Sequence, residues 1–376
     1  MTAMLSPTHF FWFLLALCLL GFALLYVMVH DAGRGARRRA LQRRIDTLDA
    51  PADETVVDAL REAMSQARQA VRQQAPRPRT PGKPAPPVPW LLFLGDASAN
   101  LPGLLATARG ERLDPSGNEV SGGVYWRWWL TGAMAAIEAH PDAVGEASSS
   151  PHARNLWLQA LLTLAERRDR LPLNGLVVYF AAGELLHADA VDLKSMATRM
   201  RRLLDEAGDT LRLQLPVYLV VTGLEALTGY ATLRGALPPE VLAQALGHRL
   251  TDPFAAPGTA AGERLDAVFG PIALQLHGLR MTLLREQPGA AGRLAIHEFV
   301  EAVRALQPAL RQVADALFES HGKSARAPRW RGLYFTATAS GAMGGAFVND
   351  LFERFLPADQ PLVRPGRPSN TTTPPP

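Results

Sequence analysis

Residues 90–103 read WLLFLGDASANLPG. Five apolar residues in succession, closed by Gly95, have the length of a buried strand, and Pro102 suits the first turn of a helix after it. Runs of the same kind recur at residues 134–137 (MAAI, the weakest), 176–182 (LVVYFAA), 217–222 (VYLVVT) and 333–337 (LYFTA). Helical patterns separate them. Residues 155–168 are one. Residues 190–207, with Leu193, Met196, Met200, Leu203 and Leu204 on one side, are another, and further helices continue to about residue 320. Short continuous apolar runs alternating with helices predict an α/β fold, a parallel sheet with helices on both faces. In such sheets ligands bind off the carboxyl ends of the strands, so any chemistry is sought there.

The loop after the first strand stands where G-x-x-x-x-G-K-[ST] would make a phosphate cradle. Gly95 fits the first position. Asn100 stands at the second glycine, Leu101 at the lysine and Pro102 at the hydroxyl that would ligate magnesium. The point charge for the β/γ-phosphates and a metal ligand are both missing, and Pro102 has no amide N–H to donate. Asp96 adds a negative charge beside the expected phosphates.

Outward from this strand toward the N-terminus, residues 75–89 (APRPRTPGKPAPPVP) form a proline-rich, semi-rigid linker, and residues 53–74 a helix with Val57, Leu60, Met64, Ala67 and Val71 on its apolar face. Residues 10–29 (FFWFLLALCLLGFALLYVMV) carry no charge over twenty positions. As a helix this stretch is roughly 30 Å long, the thickness of a bilayer's hydrocarbon core. His9, Trp12 and Tyr26 lie near its ends, as interfacial rings do. A cleaved signal peptide would need a basic start and a small-residue cleavage site. Residues 1–8 contain no Lys or Arg, and Val29-His30-Asp31 is a poor cleavage site. Arg34, Arg37, Arg38, Arg39, Arg43 and Arg44 follow the span, which places the bulk of the chain on the cytoplasmic side of an inner membrane, with residues 1–9 outside. The expected topology is single-pass. The same cluster suits anionic lipid headgroups.

The composition agrees. The chain has 376 residues, 48% hydrophobic and 20% charged, enough for a filled core of about two folded units. Its single cysteine, Cys18, excludes an internal disulfide and a cysteine-based zinc site. The net charge of +4 is accounted for by the juxtamembrane arginines, and no basic stripe with stacking aromatics points to nucleic acid. The segments expected are 1–9, the span 10–29, a basic helical region 30–74, the linker 75–89, the strand-bearing domain 90–235, a helical extension with a closing strand 236–356, and a disordered tail 357–376.

Six stretches, in order over roughly residues 89–357, resemble the cytoplasmic N-terminal region of the IcmF/TssM family, the inner-membrane core proteins of type VI secretion. They are Pro89-Trp90 leading into Leu91–Gly95; Gly122-Gly123 with Trp128-Trp129-Leu130-Thr131; Leu171-Pro172-Leu173-Asn174-Gly175-Leu176-Val177-Val178; Pro216-Val217-Tyr218-Leu219-Val220-Val221-Thr222; Arg331-Gly332-Leu333-Tyr334-Phe335-Thr336; and Asn349-Asp350-Leu351-Phe352-Glu353-Arg354. The resemblance implies a P-loop GTPase-like domain. The departures fall on the nucleotide site. Beyond the loop after Gly95, the switch threonine becomes Val124, and I-D-T-A-G becomes Ile137-Glu138-Ala139-His140-Pro141. T-K-x-D becomes Thr222-Gly223-Leu224-Glu225. The expectation is a pseudo-GTPase without catalytic, cofactor or metal residues, which docks type VI membrane-complex or baseplate proteins, with self-association open. The family has a second early span, a later span and a periplasmic part. This sequence has one early span and stops where the later one would begin, so it is not expected to bridge the envelope alone.

The sequence leaves two alternatives open. An atypical NTPase would draw a cation from Arg109 or Arg127, and a lipid-surface structural protein would have no secretion role. Glu138 reads as a satisfied carboxylate or a relic magnesium contact, and His140-Pro141-Asp142 as a turn rather than an acid–base pair. Tyr125, Trp126, Trp128 and Trp129 divide between core and a partner surface. Asn174-Gly175 reads as a turn. The nine histidines show no ligand spacing, and no G-x-S-x-G, H-E-x-x-H or EF-hand pattern occurs.

Overall fold

A computed structural model describes residues 7–48, 53–74, 87–113, 125–145, 148, 150–168, 171–250, 259–319, 328–340, 344–359 and 363–365. Most of the linker 75–89, the pair Gly122-Gly123, Val124 and the tail beyond residue 365 lie outside the described residues.

The chain opens with α1 (Pro7–Asp46) and α2 (Glu54–Gln74). Then come β1 (Trp90–Gly95), α3 (Leu101–Thr107), β2 (Glu111–Leu113), β3 (Trp126–Leu130), β4 (Ala135–Ala139) and α4 (Pro151–Arg167). They are followed by β5 (Gly175–Ala181), α5 (Ala182–His187), α6 (Ala190–Leu211), β6 (Leu213–Gln214), β7 (Pro216–Thr222), α7 (Tyr230–Ala236) and α8 (Pro239–Ala243). The series ends with β8 (Leu246–Arg249), α9 (Ala261–Glu286), α10 (Ala290–Ala305), α11 (Gln307–Phe318) and β9 (Arg329–Phe335).

The main sheet has eight strands in the order β2-β3-β4-β1-β5-β7-β9-β8. The five expected apolar runs are its parallel centre, β4-β1-β5-β7-β9. The expectation of a wholly parallel sheet is corrected at both edges, where β2, β3 and β8 run antiparallel. Residues 131–134 are too few for a crossover. They close a β3–β4 hairpin, in which Thr131 N–H donates to the Met134 carbonyl at 2.9 Å. β1 pairs with β4 on one side and β5 on the other, so the strand order reverses at β1 and opens a crevice at its carboxyl end.

Alternation along the strands sorts two apolar layers. Leu92 and Leu94 face the larger one, built by α2, α4, α6 and α9–α11 together with Leu41 of α1. Leu91, Phe93, Val177 and Tyr179 face the smaller one, with Leu101, Leu104 and Leu105 of α3 and with Leu351 and Phe352. Helical cover is thus on both faces but unequal.

α1 is one continuous helix. Its apolar residues Phe11–Leu25 project exposed, while its far end docks, with Leu41 fully buried and Arg38 Nη2 donating to the Glu166 carbonyl at 3.1 Å. Among the described residues Phe11–Leu25 is a shorter apolar stretch, and α9 is the one helix long and apolar enough to cross a membrane by length and composition. Its Leu265, Val268, Phe269, Ile272 and Leu276 are buried and it packs on α10, α11 and β8, which makes it a helix of the folded unit.

A disordered tail from residue 357 is also corrected. Residues 356–358 are helical, and Arg364–Pro365 pairs antiparallel with β6. Asp359 is buried, accepting from Tyr218 Oη at 2.6 Å and Arg331 Nε at 2.8 Å, with Arg249 Nη1 at 3.4 Å. The composition of the tail hides this anchor, because its partners lie on β7, β8 and β9.

Candidate functional site

The loop beyond β1 is folded on itself. Residues 97–99 form one tight helical turn. Asp96 Oδ1 accepts the Ala97 amide at 2.7 Å, and the Asp96 carbonyl accepts that of Ala99 at 3.2 Å. The Ala97 carbonyl accepts the Asn100 amide at 3.2 Å. Asn100 adopts a left-handed conformation (φ 44°), and its Oδ1 accepts the Gly103 amide at 3.2 Å, capping α3. Thr222 Oγ1, from the end of β7, donates to the Ala99 carbonyl at 2.8 Å. In a phosphate cradle these amides point at the ligand. Here four of them, on Ala97, Ala99, Asn100 and Gly103, are satisfied within the loop.

Gly95 has a packing reason to be glycine. A Cβ there would lie 2.3 Å from Cε2 of Tyr179, whose ring lies against the start of the loop and is 2% exposed. Leu101, at the lysine position, is 1% exposed in the smaller apolar layer, and Pro102 enters α3 in its first turn.

Sequence reasoning missed Glu184. It follows β5 in the first turn of α5, and its Oε2 is buried without a hydrogen-bond partner among the described residues. Burial raises its carboxyl above the ordinary carboxylate range, and the charge of Asp96 raises it further, against a hydrogen bond from Ser98. Two carboxylates therefore converge beside the loop that follows β1. The signal was available: Glu184 closely follows a strand that neighbours β1. Tyr179, between Asp96 and Glu138, has its phenol raised by burial first and then by those two charges.

Glu138, on β4, is 2% exposed and satisfied: it accepts from Trp129 Nε1 at 2.8 Å and Arg127 Nη1 at 3.2 Å. Arg127 is thereby held on the hairpin. Arg109 (φ 58°) lies past α3 and lines a separate open hollow of about 470 Å³ with Thr107, Arg234 and Asn349. Glu225 accepts from the amide of Thr338 at 3.0 Å and from its hydroxyl, so it latches the chain after β9. His140 Nδ1 accepts the Asp142 amide at 3.3 Å, which makes the His-Pro-Asp stretch a turn. Among the described residues no three His, Cys, Asp or Glu side chains are placed to hold a metal ion.

The partner-surface reading of the aromatic cluster is corrected. Trp126, Trp128 and Trp129 are buried, Trp126 edge-on to Trp157 at 5.9 Å and Trp128 edge-on to Trp90 at 5.1 Å, and Tyr125 packs against the core. Asn174 is more than a turn. Its Oδ1 accepts from the Trp90 amide at 2.9 Å and from Arg168 Nη1 at 2.8 Å. Burial lowers the Arg168 guanidinium to about 10, and its Cζ lies 4.9 Å over the Trp90 ring.

Residues 151–343 match the IcmF-related N-terminal domain family. The chain is also similar to the type VI secretion system component TssM1 of Pseudomonas aeruginosa, at 24% identity over 226 residues. That alignment covers 60% of this chain and 20% of TssM1, so the chain spans about a fifth of that relative's length. No solved structure matches.

Proposed function

The chain belongs to the IcmF-related family, and from that premise we propose that it is a non-catalytic, inner-membrane component of a type VI secretion apparatus. In this reading a G-protein-like domain that no longer grips a nucleotide serves as a docking platform for membrane-complex or baseplate proteins. One observation carries it. The amides that would cradle phosphate are bonded within the loop, and the carboxylates of Asp96 and Glu184 converge beside it. The sheet supports a G-protein ancestry: an antiparallel strand, β3, lies outside β4, and the order reverses at β1. The exposed apolar run Phe11–Leu25, continuous with a docked basic segment, supports the membrane anchor.

Phosphate release from GTP and ATP by the detergent-solubilised full chain, with Arg127→Ala alongside, separates this reading from an atypical NTPase. No turnover above buffer is expected. Turnover abolished by Arg127→Ala would establish the NTPase. Co-purification of type VI membrane or baseplate subunits with the tagged chain supports the docking role, and a chain that purifies without them argues for a lipid-surface protein.

A further inference from the structure

Four proximities fix the directions of α1 and α2 against α4. Arg38 of α1 touches Glu166 near the C-terminal end of α4. Arg68 and Arg72, near the C-terminal end of α2, border one hollow with Arg167, at the same end of α4. Asp53, just before α2, lies within electrostatic reach of His152, at the opposite end of α4. Arg168, next after α4, covers Trp90, the first residue of β1, and donates to the Val88 carbonyl at 3.1 Å. So α1 runs antiparallel to α4, and α2 runs parallel to it. The C-terminal ends of α2 and α4 and the amino edge of the sheet all lie toward the end from which α1 leaves for the bilayer. If the span ends at residue 29, Arg38 is nine residues further along an unbroken helix, roughly 13 Å.

We infer that this end of the domain rests on the bilayer surface, and that Arg68, Arg72 and Arg167 hold anionic phospholipid headgroups. The three arginines surround an open hollow of about 330 Å³, floored by Ser65 and Gln69. Among the described residues at this end, Glu166 opposes the three arginines with one charge. The occupant follows from continuity with the span and from charge: headgroup phosphates are the anions at this depth. The carboxyl edge, with Asp96 and Glu184, then faces away from the membrane and is open to soluble partners. The inference rests on the reading of residues 10–29 as a span.

The full chain in nanodiscs tests it. With Cys18→Ser as background, a fluorophore is attached through Gln69→Cys or Ala226→Cys, both exposed positions, one lining the hollow and one at the carboxyl edge. The discs contain a quencher on the lipid headgroup and either phosphatidylglycerol with phosphatidylethanolamine or phosphatidylcholine alone. The label at 69 is expected to be quenched and that at 226 to be spared. Replacing phosphatidylglycerol, or reversing charge with Arg68→Glu, Arg72→Glu and Arg167→Glu together, is expected to abolish the difference. Equal quenching at the two positions, or quenching at 69 indifferent to lipid charge and to the reversals, overturns the inference. Arg→Gln versions, checked for an unchanged melting temperature, replace the reversals if those fail to fold. Native Cys18, probed with an aqueous maleimide, reports on the premise. Reaction at Cys18 overturns the span and the inference together, whereas a protected Cys18 with unquenched 69 overturns the inference alone.

Discussion

Gly95→Ala separates a packing glycine from a phosphate-loop glycine. The added Cβ would meet three atoms of the Tyr179 ring at 2.3 to 2.6 Å. Tyr179 cannot retreat easily, because β5 is held between β1 and β7 and the ring is fully buried. Overpacking of this kind costs about 1–3 kcal/mol. The backbone at Gly95 is not left-handed, so alanine also removes unfolded-state freedom, which offsets about 0.4–1 kcal/mol. The net expectation is a loss of about 1–2 kcal/mol, or a melting temperature lower by about 2–8 °C. Thermal unfolding of the full chain in detergent, followed by circular dichroism, reads it. In a Tyr179→Leu background the same substitution is expected to cost less than about 0.5 kcal/mol, because its clashing partner is gone. A neutral or stabilising Gly95→Ala, or a cost undiminished by Tyr179→Leu, would refute the packing argument.

Three further outcomes follow from the geometry. Asp359→Asn leaves Arg331 and Arg249 without their buried carboxylate, and urea unfolding is expected to register a loss of about 3–5 kcal/mol; a loss below 1 kcal/mol contradicts the anchor. Arg168→Ala removes charged hydrogen bonds to Asn174 and Val88, with an expected cost of about 1.5–3 kcal/mol by the same assay. Glu184 has a folded-state pKa raised above its reference of 4.5, so its contribution is fully present below that pH and lost as pH rises through the raised value. Glu184→Gln is expected to flatten the decline in melting temperature above pH 4.5 and to leave the variant more stable than the parent at neutral pH; parallel profiles would contradict the carboxylate pair.

The parallel centre of the sheet was legible because β1, β5 and β7 are buried on both faces and read as unbroken apolar runs. The edges were not. β2 and β8 are short and half-polar, and the Trp126–Leu130 stretch has no clean alternation because Trp128 and Trp129 both find buried places, on opposite faces of the sheet. The degraded loop could be read residue by residue. What could not be read was how its amides are reassigned, since Asn100 caps α3 only once it takes a left-handed conformation. The contacts that orient the domain on its membrane helix, Arg38 to Glu166 and Arg68 and Arg72 beside Arg167, join segments about a hundred residues apart. Pattern along the chain carries no trace of such pairings.

Isothermal titration of GTP and ATP, with and without magnesium, into the detergent-solubilised full chain bears most directly on the claim that the loop after Gly95 has lost its hold on a triphosphate. The account predicts no heat of binding in either condition. Saturable, magnesium-dependent binding in the micromolar range, weakened by a charge placed in the loop with Ser98→Asp, would contradict it.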